Sequence, residues 1–170
     1  MYAIVVYESH WGNTAEIARA IAEGIGDGAT AMSTSEAVPA VVARADLVVA
    51  GAPVNAFGLP TSNTRAMLAA QEATPRPDLS HQSLRDWLEH LPRAAGACAA
   101  FDTRLRWTPG GAISGIQRRL EAAGYREVAT PLKAVVTGAH GPLRAGEAAR
   151  ARAWGAELRR AMEVGRQVAS

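Results

Sequence analysis

The sequence is poor in cysteine, in lysine and in aromatic residues, and each shortage closes off a class of protein. One cysteine, Cys98, excludes an internal disulfide and a cysteine-rich metal site. Set in Ala97-Cys98-Ala99-Ala100-Phe101, it reads as a buried structural thiol rather than a nucleophile. His10, His81, His90 and His140 are scattered, with no pair at ligand spacing on a helix, so no metal site is expected. No apolar run approaches the ~20 residues that span a membrane. The N-terminal run is too short for a secretion signal and lacks a basic leader, so a cytoplasmic location is expected. No Ser-His-Asp order with a nucleophile elbow occurs. No acidic pair ends the first strand, which sets aside a receiver-type response regulator.

What remains is an ordinary globular composition, 48% hydrophobic over 170 residues, enough for one domain (1–170) with a sizeable core. One lysine stands against seventeen arginines, a bias of the kind a GC-rich genome produces. The net charge of +2 is uneven. Residues 1–103 hold 6 basic and 11 acidic side chains, and residues 104–170 hold 12 and 5, giving −5 and +7. A basic C-terminal half suits an acidic protein partner, although arginines that merely solubilise two amphipathic helices are the simpler reading. The bases are interleaved with acids and aromatics are few, so nucleic acid is not an expected partner.

Periodicity divides the chain into alternating strands and helices. Tyr2–Tyr7 is an unbroken apolar run, as expected of a strand buried on both faces. A polar turn, Glu8–Thr14, leads into a helix with Ile17, Ala18, Ile21, Ala22 and Ile25 on one face. Asn13 is the expected N-cap with Glu16 as capping-box partner, and Gly24, Gly26 and Gly28 break the helix. A weak strand at 29–33 and a small helix at 35–43 precede a buried strand, Asp46–Gly51. After a long turn at 52–60, a short helix over 61–70 would turn Ala66, Met67 and Ala70 inward. An exposed connector (71–80) precedes a stripe of Leu84, Trp87, Leu88 and Leu91, which is core packing. Gly96–Phe101 is a strand, 102–111 a polar loop, and Ile113, Ile116, Leu120 and Ala123 mark a helix stopped by Gly124. The strand Leu132–Thr137 and a helix burying Ala151, Trp154, Leu158, Ala161 and Met162 complete the chain. Its Arg150, Arg152, Arg159 and Arg160 face outward.

Five β-α repeats of this kind make a doubly wound parallel sheet, with helices on both faces. Ligands of such sheets bind beyond the strand C-termini, where strand order reverses. Three polar loops fall at that edge, 8–14, 52–60 and 102–111, and they converge only if the first strand is central. In the first loop, helix-start amides and small polar residues can wrap a phosphate without a cationic side chain. An ordinary capped turn would look the same.

The run Val5-Val6-Tyr7-Glu8-Ser9-His10-Trp11-Gly12-Asn13-Thr14-Ala15-Glu16 resembles the flavodoxin signature: an aromatic ending the strand, a hydroxyl two residues on, then Gly-Asn-Thr and a helix. Walker-type phosphate loops end instead in Gly-Lys-Ser/Thr. The order of elements fits the short-chain form along the whole chain. Gly51-Ala52-Pro53, Phe101–Arg104, Thr137-Gly138, Gly141–Leu143 and Trp154-Gly155 look like an actinobacterial branch of it.

The resemblance implies an α/β fold with five parallel strands in the order 2-1-3-4-5 and a non-covalent FMN. The phosphate would lie on Ser9, His10, Trp11, Gly12, Asn13 and Thr14, chiefly on main-chain amides and the hydroxyls of Ser9 and Thr14. The second loop (Pro53, Val54, Asn55, Phe57, Gly58) and the third (Asp102, Thr103, Arg104, Trp107) would bracket the ring. Phe57 or Trp107 would stack on it, and Gly58 would allow a peptide there to turn either way. Asp102 would meet the ring's polar edge. Familiar flavodoxins are acidic and carry a tyrosine in the third loop, whereas this chain is mildly basic and has arginines there. Arg104 or Arg106 near the ring would favour the anionic reduced flavin. Electron transfer to a redox partner protein, as monomer or dimer, is the leading expectation. An FMN-dependent NAD(P)H:quinone-type oxidoreductase and an interaction module that has lost FMN are the alternatives, since fold alone does not decide between them.

Overall fold

The computed structural model describes residues 1–168. In chain order the elements are β1 (Ala3–Tyr7), α1 (Asn13–Ile25), β2 (Ala29–Ser33), α2 (Pro39–Val42), β3 (Leu47–Pro53), α3 (Ser62–Ala69), α4 (Leu84–Glu89), β4 (Ala97–Leu105), α5 (Ile113–Ala122), β5 (Arg126–Glu127), β6 (Leu132–Val136) and α6 (Glu147–Val168). All strand pairs are parallel, in the order β2-β1-β3-β4-β5, with β6 also on β4. The expected order 2-1-3-4-5 holds, and the fifth position is one edge strand in two pieces. β5 meets Ala97 and Cys98, and β6 meets Phe101 to Leu105. Pro131 has no N–H for the ladder, and the Thr130 carbonyl accepts from the Trp154 indole at 2.9 Å, which accounts for the gap.

Strand alternation sorts the core into two layers. Ile4, Val6, Val48, Ala50 and Cys98 face Leu84, Trp87, Leu88, Ile116 and Leu120. Ala3, Val5, Val49, Ala99 and Phe101 face Ile17, Ile21, Ile25, Ala151, Trp154 and Leu158. Cys98 lies in the first layer, and burial pushes its thiol up to about 12, so it is inert at neutral pH. Trp87 is core, its indole N–H donating to the Ala37 carbonyl at 2.8 Å.

Several local expectations give way to tertiary contacts. α1 does not break at Gly24 but runs to Ile25, with Gly26 as its C-cap at φ +87°. Gly24 lies where α1 and α6 approach most closely: a Cβ there would stand 1.9 Å from the Arg152 carbonyl, and one at Gly155 2.2 Å from the Ile21 carbonyl. Asn13 is the first helical residue rather than the N-cap. Gly12 holds the cap position in the left-handed region (φ +88°), and Glu16 makes no capping box. α2 starts only at Pro39, because Glu36 turns back to accept from the Ser33 N–H and hydroxyl. In α3, Ala66 and Met67 face solvent, as does Ala70 at its C-cap, while Thr64, Arg65 and Leu68 turn inward. In α6, Ala151, Trp154 and Leu158 are buried but Ala161 and Met162 only partly. The third loop begins at Arg106, since β6 pairing carries β4 through Asp102, Thr103 and Arg104 to Leu105.

Candidate functional site

A cleft of about 300 Å³ opens at the C-terminal edge of the sheet. Its walls come from the first loop and the start of α1 (His10, Trp11, Asn13, Thr14), the end of β3 and its turn (Pro53 to Ala56), α3 and the residue beyond its cap (Thr64, Met67, Leu68, Gln71), the end of β4 and the loop after it (Thr103 to Leu105, Thr108), and the end of β6 with its turn (Val136, Ala139, His140). The volume lies at the small end of ligand sites, and the crevice sits where strand order reverses.

The first loop is anchored from below. Glu8 follows the buried β1 directly and is itself fully buried. Its carboxylate accepts from His10 Nε2 at 3.0 Å, from the Leu84 N–H at 2.9 Å and from the Arg65 guanidinium. Burial pushes its carboxyl up, but the hydrogen bonds from His10 and the Leu84 N–H, together with the Arg65 guanidinium, outweigh this, and the net shift is downward. Arg65 also donates to the carbonyls of Leu79 (3.2 Å) and His81 (2.6 Å), which draws that face of α3 inward. His81 closes the network by accepting the Ser9 N–H at Nε2 (3.1 Å). Burial holds the His81 imidazole below its ordinary value against the pull of Asp78 and Glu8, and protonation would remove the Ser9 acceptor.

Above this base the loop presents donors. Ser9 Oγ accepts the Ala15 N–H at 3.2 Å, which leaves its own hydrogen free. Thr14 and Thr103 share one hydrogen bond between their hydroxyls at 2.7 Å, so one of the two hydrogens is left to donate. The first intrahelical amide of α1 is that of Glu16, bonded to the Gly12 carbonyl. Among the described residues, the N–H groups of Trp11, Gly12, Asn13 and Thr14 find no protein acceptor. The Asn13 side chain donates to the His140 carbonyl at 3.1 Å, and Trp11 stacks on the His140 ring at 3.9 Å. These contacts bring the turn after β6 across the loop. Free amides, free hydroxyls and a helix N-terminus, with no carboxylate lining the cleft, make a set suited to an anion such as phosphate.

The second loop differs from its sequence reading. Asn55 and Gly58 exchange backbone hydrogen bonds at 2.9 and 3.0 Å around a two-residue turn. Positive φ falls on Ala56 (+44°) and Phe57 (+69°), not on Gly58. Both are non-glycine residues, and each such position costs about 1–3 kcal/mol. Pro53, Val54 and Asn55 line the cleft, with the Asn55 amide 3.4 Å from His10 Nδ1.

The fifteen sequence candidates thus divide. His10, Trp11, Asn13, Thr14, Pro53, Val54, Asn55, Thr103 and Arg104 line one cleft. Ser9 and Gly12 shape the loop behind it. Asp102 does not point toward the cleft: it is fully buried, accepting from Nε and Nη2 on one edge of the Arg104 guanidinium and from the Ala112 N–H at 3.1 Å. Phe57 and Trp107 line an adjoining open trough, and Trp107 lies under the Arg106 guanidinium at 4.7 Å. Gly58 lines neither. Glu8, Arg65, His81 and the wall from α3 and His140 escaped the sequence reading. Only Glu8 left a signal there, an acid directly after a strand buried on both faces.

No group of three or more metal-ligating side chains is gathered among the described residues, and no helix there is long and apolar enough to cross a membrane. No family model matches the sequence, and no curated protein matches it either. Solved structures do. An archaeal flavodoxin is 17% identical at a TM-score of 0.68, the match covering 96% of this chain and 99% of that one. Flavodoxin 1 from Bacillus cereus is 18% identical at 0.66, covering 93% and 97%. A WrbA-like flavodoxin from Agrobacterium tumefaciens is 20% identical at 0.57, covering 98% of both chains.

Proposed function

The fold is flavodoxin-like, and we propose that the chain is an electron carrier that holds FMN non-covalently in the cleft. The observation that carries this reading is the donor set of the first loop: free amides of Trp11 to Thr14 and free hydroxyl hydrogens at Ser9 and the Thr14–Thr103 pair. Such a set matches a terminal phosphate without a lysine or arginine. Pro53 to Asn55 and Thr103 to Leu105 line the same cleft and would bracket a planar ring attached to that phosphate. When bound, the flavin supplies the electron chemistry, and the protein sets its binding and potential. Arg104 is a poor source of free positive charge for that purpose, because Asp102 already pairs with it.

The test is the visible spectrum and flavin fluorescence of the purified protein titrated with FMN. Tight quenching supports the reading, and a colourless protein that leaves FMN fluorescence unchanged rules it out. Thr14→Val should weaken FMN about tenfold or more while barely affecting riboflavin, since charge-assisted hydrogen bonds contribute ~1.5–3 kcal/mol. Equal losses for both ligands would show that the phosphate lies elsewhere. Rapid NAD(P)H oxidation with a quinone in the same preparation would replace the carrier by a quinone-type reductase.

A further inference from the structure

Six large hydrophobic side chains stand exposed among the described residues, and four of them gather at one place: Phe57 (65%), Met67 (68%), Leu105 (41%) and Trp107 (82%). Met67 lines the cleft, and the other three line the trough beside it, which shares Leu105, Thr108 and Val136 with the cleft. The backbone holds this display in place. Phe57 sits at positive φ, a conformation L side chains rarely adopt, and its carbonyl accepts the Gly111 N–H at 2.9 Å. The turn bearing Phe57 is therefore fastened to the loop bearing Trp107. Side chains held exposed at a conformational cost are not there for folding.

The trough between them is apolar at Phe57, Leu105, Trp107, Pro109, Val135 and Val136, cationic at Arg106 and Arg144, and holds no acid. Arg106 has no carboxylate partner among the described residues; it covers one face of Trp107. Arg144 shares the buried Glu147 with Arg150, so that group carries an excess positive charge. Tryptophan, phenylalanine, methionine and arginine without aspartate or glutamate is the composition of a protein-interface centre. A small planar ligand fits less well. Trp107 is so exposed, with one face already covered, that only a broad partner surface would bury it.

We propose that this rim is the docking face for an acidic protein, whose carboxylates meet Arg106 and Arg144 while an apolar contact seats on Phe57 and Trp107. As a carrier's docking face it rests on the reading of the cleft as a flavin site, although the binding itself does not require the flavin. The sign of charge follows from the trough, which is lined by two arginines and no acid, while the acids bonded to the neighbouring Arg104 and to Arg144, Asp102 and Glu147, are buried and already paired.

The probe is a plant-type [2Fe–2S] ferredoxin, a strongly acidic protein, titrated calorimetrically into the full chain with and without FMN, with basic cytochrome c as control. Ferredoxin should bind at low salt, weaken at least about tenfold between roughly 0.02 and 0.2 M NaCl, and outcompete cytochrome c. Arg106→Glu and Trp107→Ala, both on an exposed loop, should each lose about tenfold in ferredoxin affinity while melting temperature stays unchanged. Absence of ferredoxin binding at low salt, undiminished binding by both variants, or preference for cytochrome c would overturn the docking face. Retained ferredoxin binding by a protein that does not take FMN would uphold the face and sink the carrier reading instead.

Discussion

The first and third loops stand at the same edge of the same sheet, and they are finished in opposite ways. The first is polar in sequence and sinks its polar side chains: Glu8, Ser9, His10 and Thr14 are all buried and tied back to α3, α4 and β4. The third carries tryptophan and proline, follows Leu105 at the end of β4, and leaves all three in water. The difference separates two tasks. A loop that grips an anion by its amides must not move, and a buried carboxylate with three donors fixes it. A surface that meets another molecule must keep its apolar groups outside, and the strained turn at Ala56-Phe57 helps it do so.

The largest expected effect comes from breaking the anchor of the first loop. Arg65→Ala leaves Glu8 buried with one fewer cation, and removing one partner of a buried pair typically costs about 3–5 kcal/mol. Urea denaturation of this variant should show that loss; a change under ~1 kcal/mol would mean that His10 and the Leu84 N–H alone satisfy the carboxylate. Acid should probe the same anchor. His81 titrates lower in the folded than in the unfolded chain, so the unfolded state takes up its proton first and stability falls as pH drops below its ordinary 6.5. Glu8 acts further down: its contribution is full above 4.5 and is lost as pH falls through its lower folded value. Melting temperature should therefore decline from pH 7.5 toward about 5.5, and His81→Gln, which can still accept the Ser9 N–H, should flatten that decline. An unaltered slope in His81→Gln would assign it to other groups.

Smaller effects lie on the other side of the comparison. Ala56→Gly relieves a left-handed alanine and should stabilise the fold by about 1 kcal/mol, read as a raised urea midpoint. Destabilisation would show that the turn is not strained. Trp107→Ala should change stability by no more than ~0.5 kcal/mol, since its indole is mostly in water. A larger loss would mean that Trp107 packs on its own protein and is not held out for a partner.

How far the sequence can be read depends on the range of the interaction. The run Tyr2–Tyr7 and the helix stripe through Ile17 and Ile21 are local patterns, and both appear where periodicity placed them. The polar turn between β1 and α1 was legible from the switch in period, but its cap was not: Gly12 in the left-handed region, rather than Asn13, holds that position. The inward face of α3 was not: Met67 resembles a core residue, but Arg65 faces inward because Glu8, 57 positions earlier, draws it there. The left-handed turn was not legible either: positive φ falls on Ala56 and Phe57, since the hairpin register, with Asn55 opposite Gly58, decides which residues occupy the turn.

The sequence by itself therefore determined the alternation of strands and helices and the layer pattern, which follow from hydrophobic period within one β-α unit. The strand order came from the resemblance to flavodoxins and holds in the sheet. The tertiary structure alone decided the partners of the buried charges: Arg65 and His10 on Glu8, Arg104 on Asp102, Arg144 and Arg150 on Glu147. A buried ion must be matched by whatever the fold brings within a few ångströms, and sequence separation does not enter that condition.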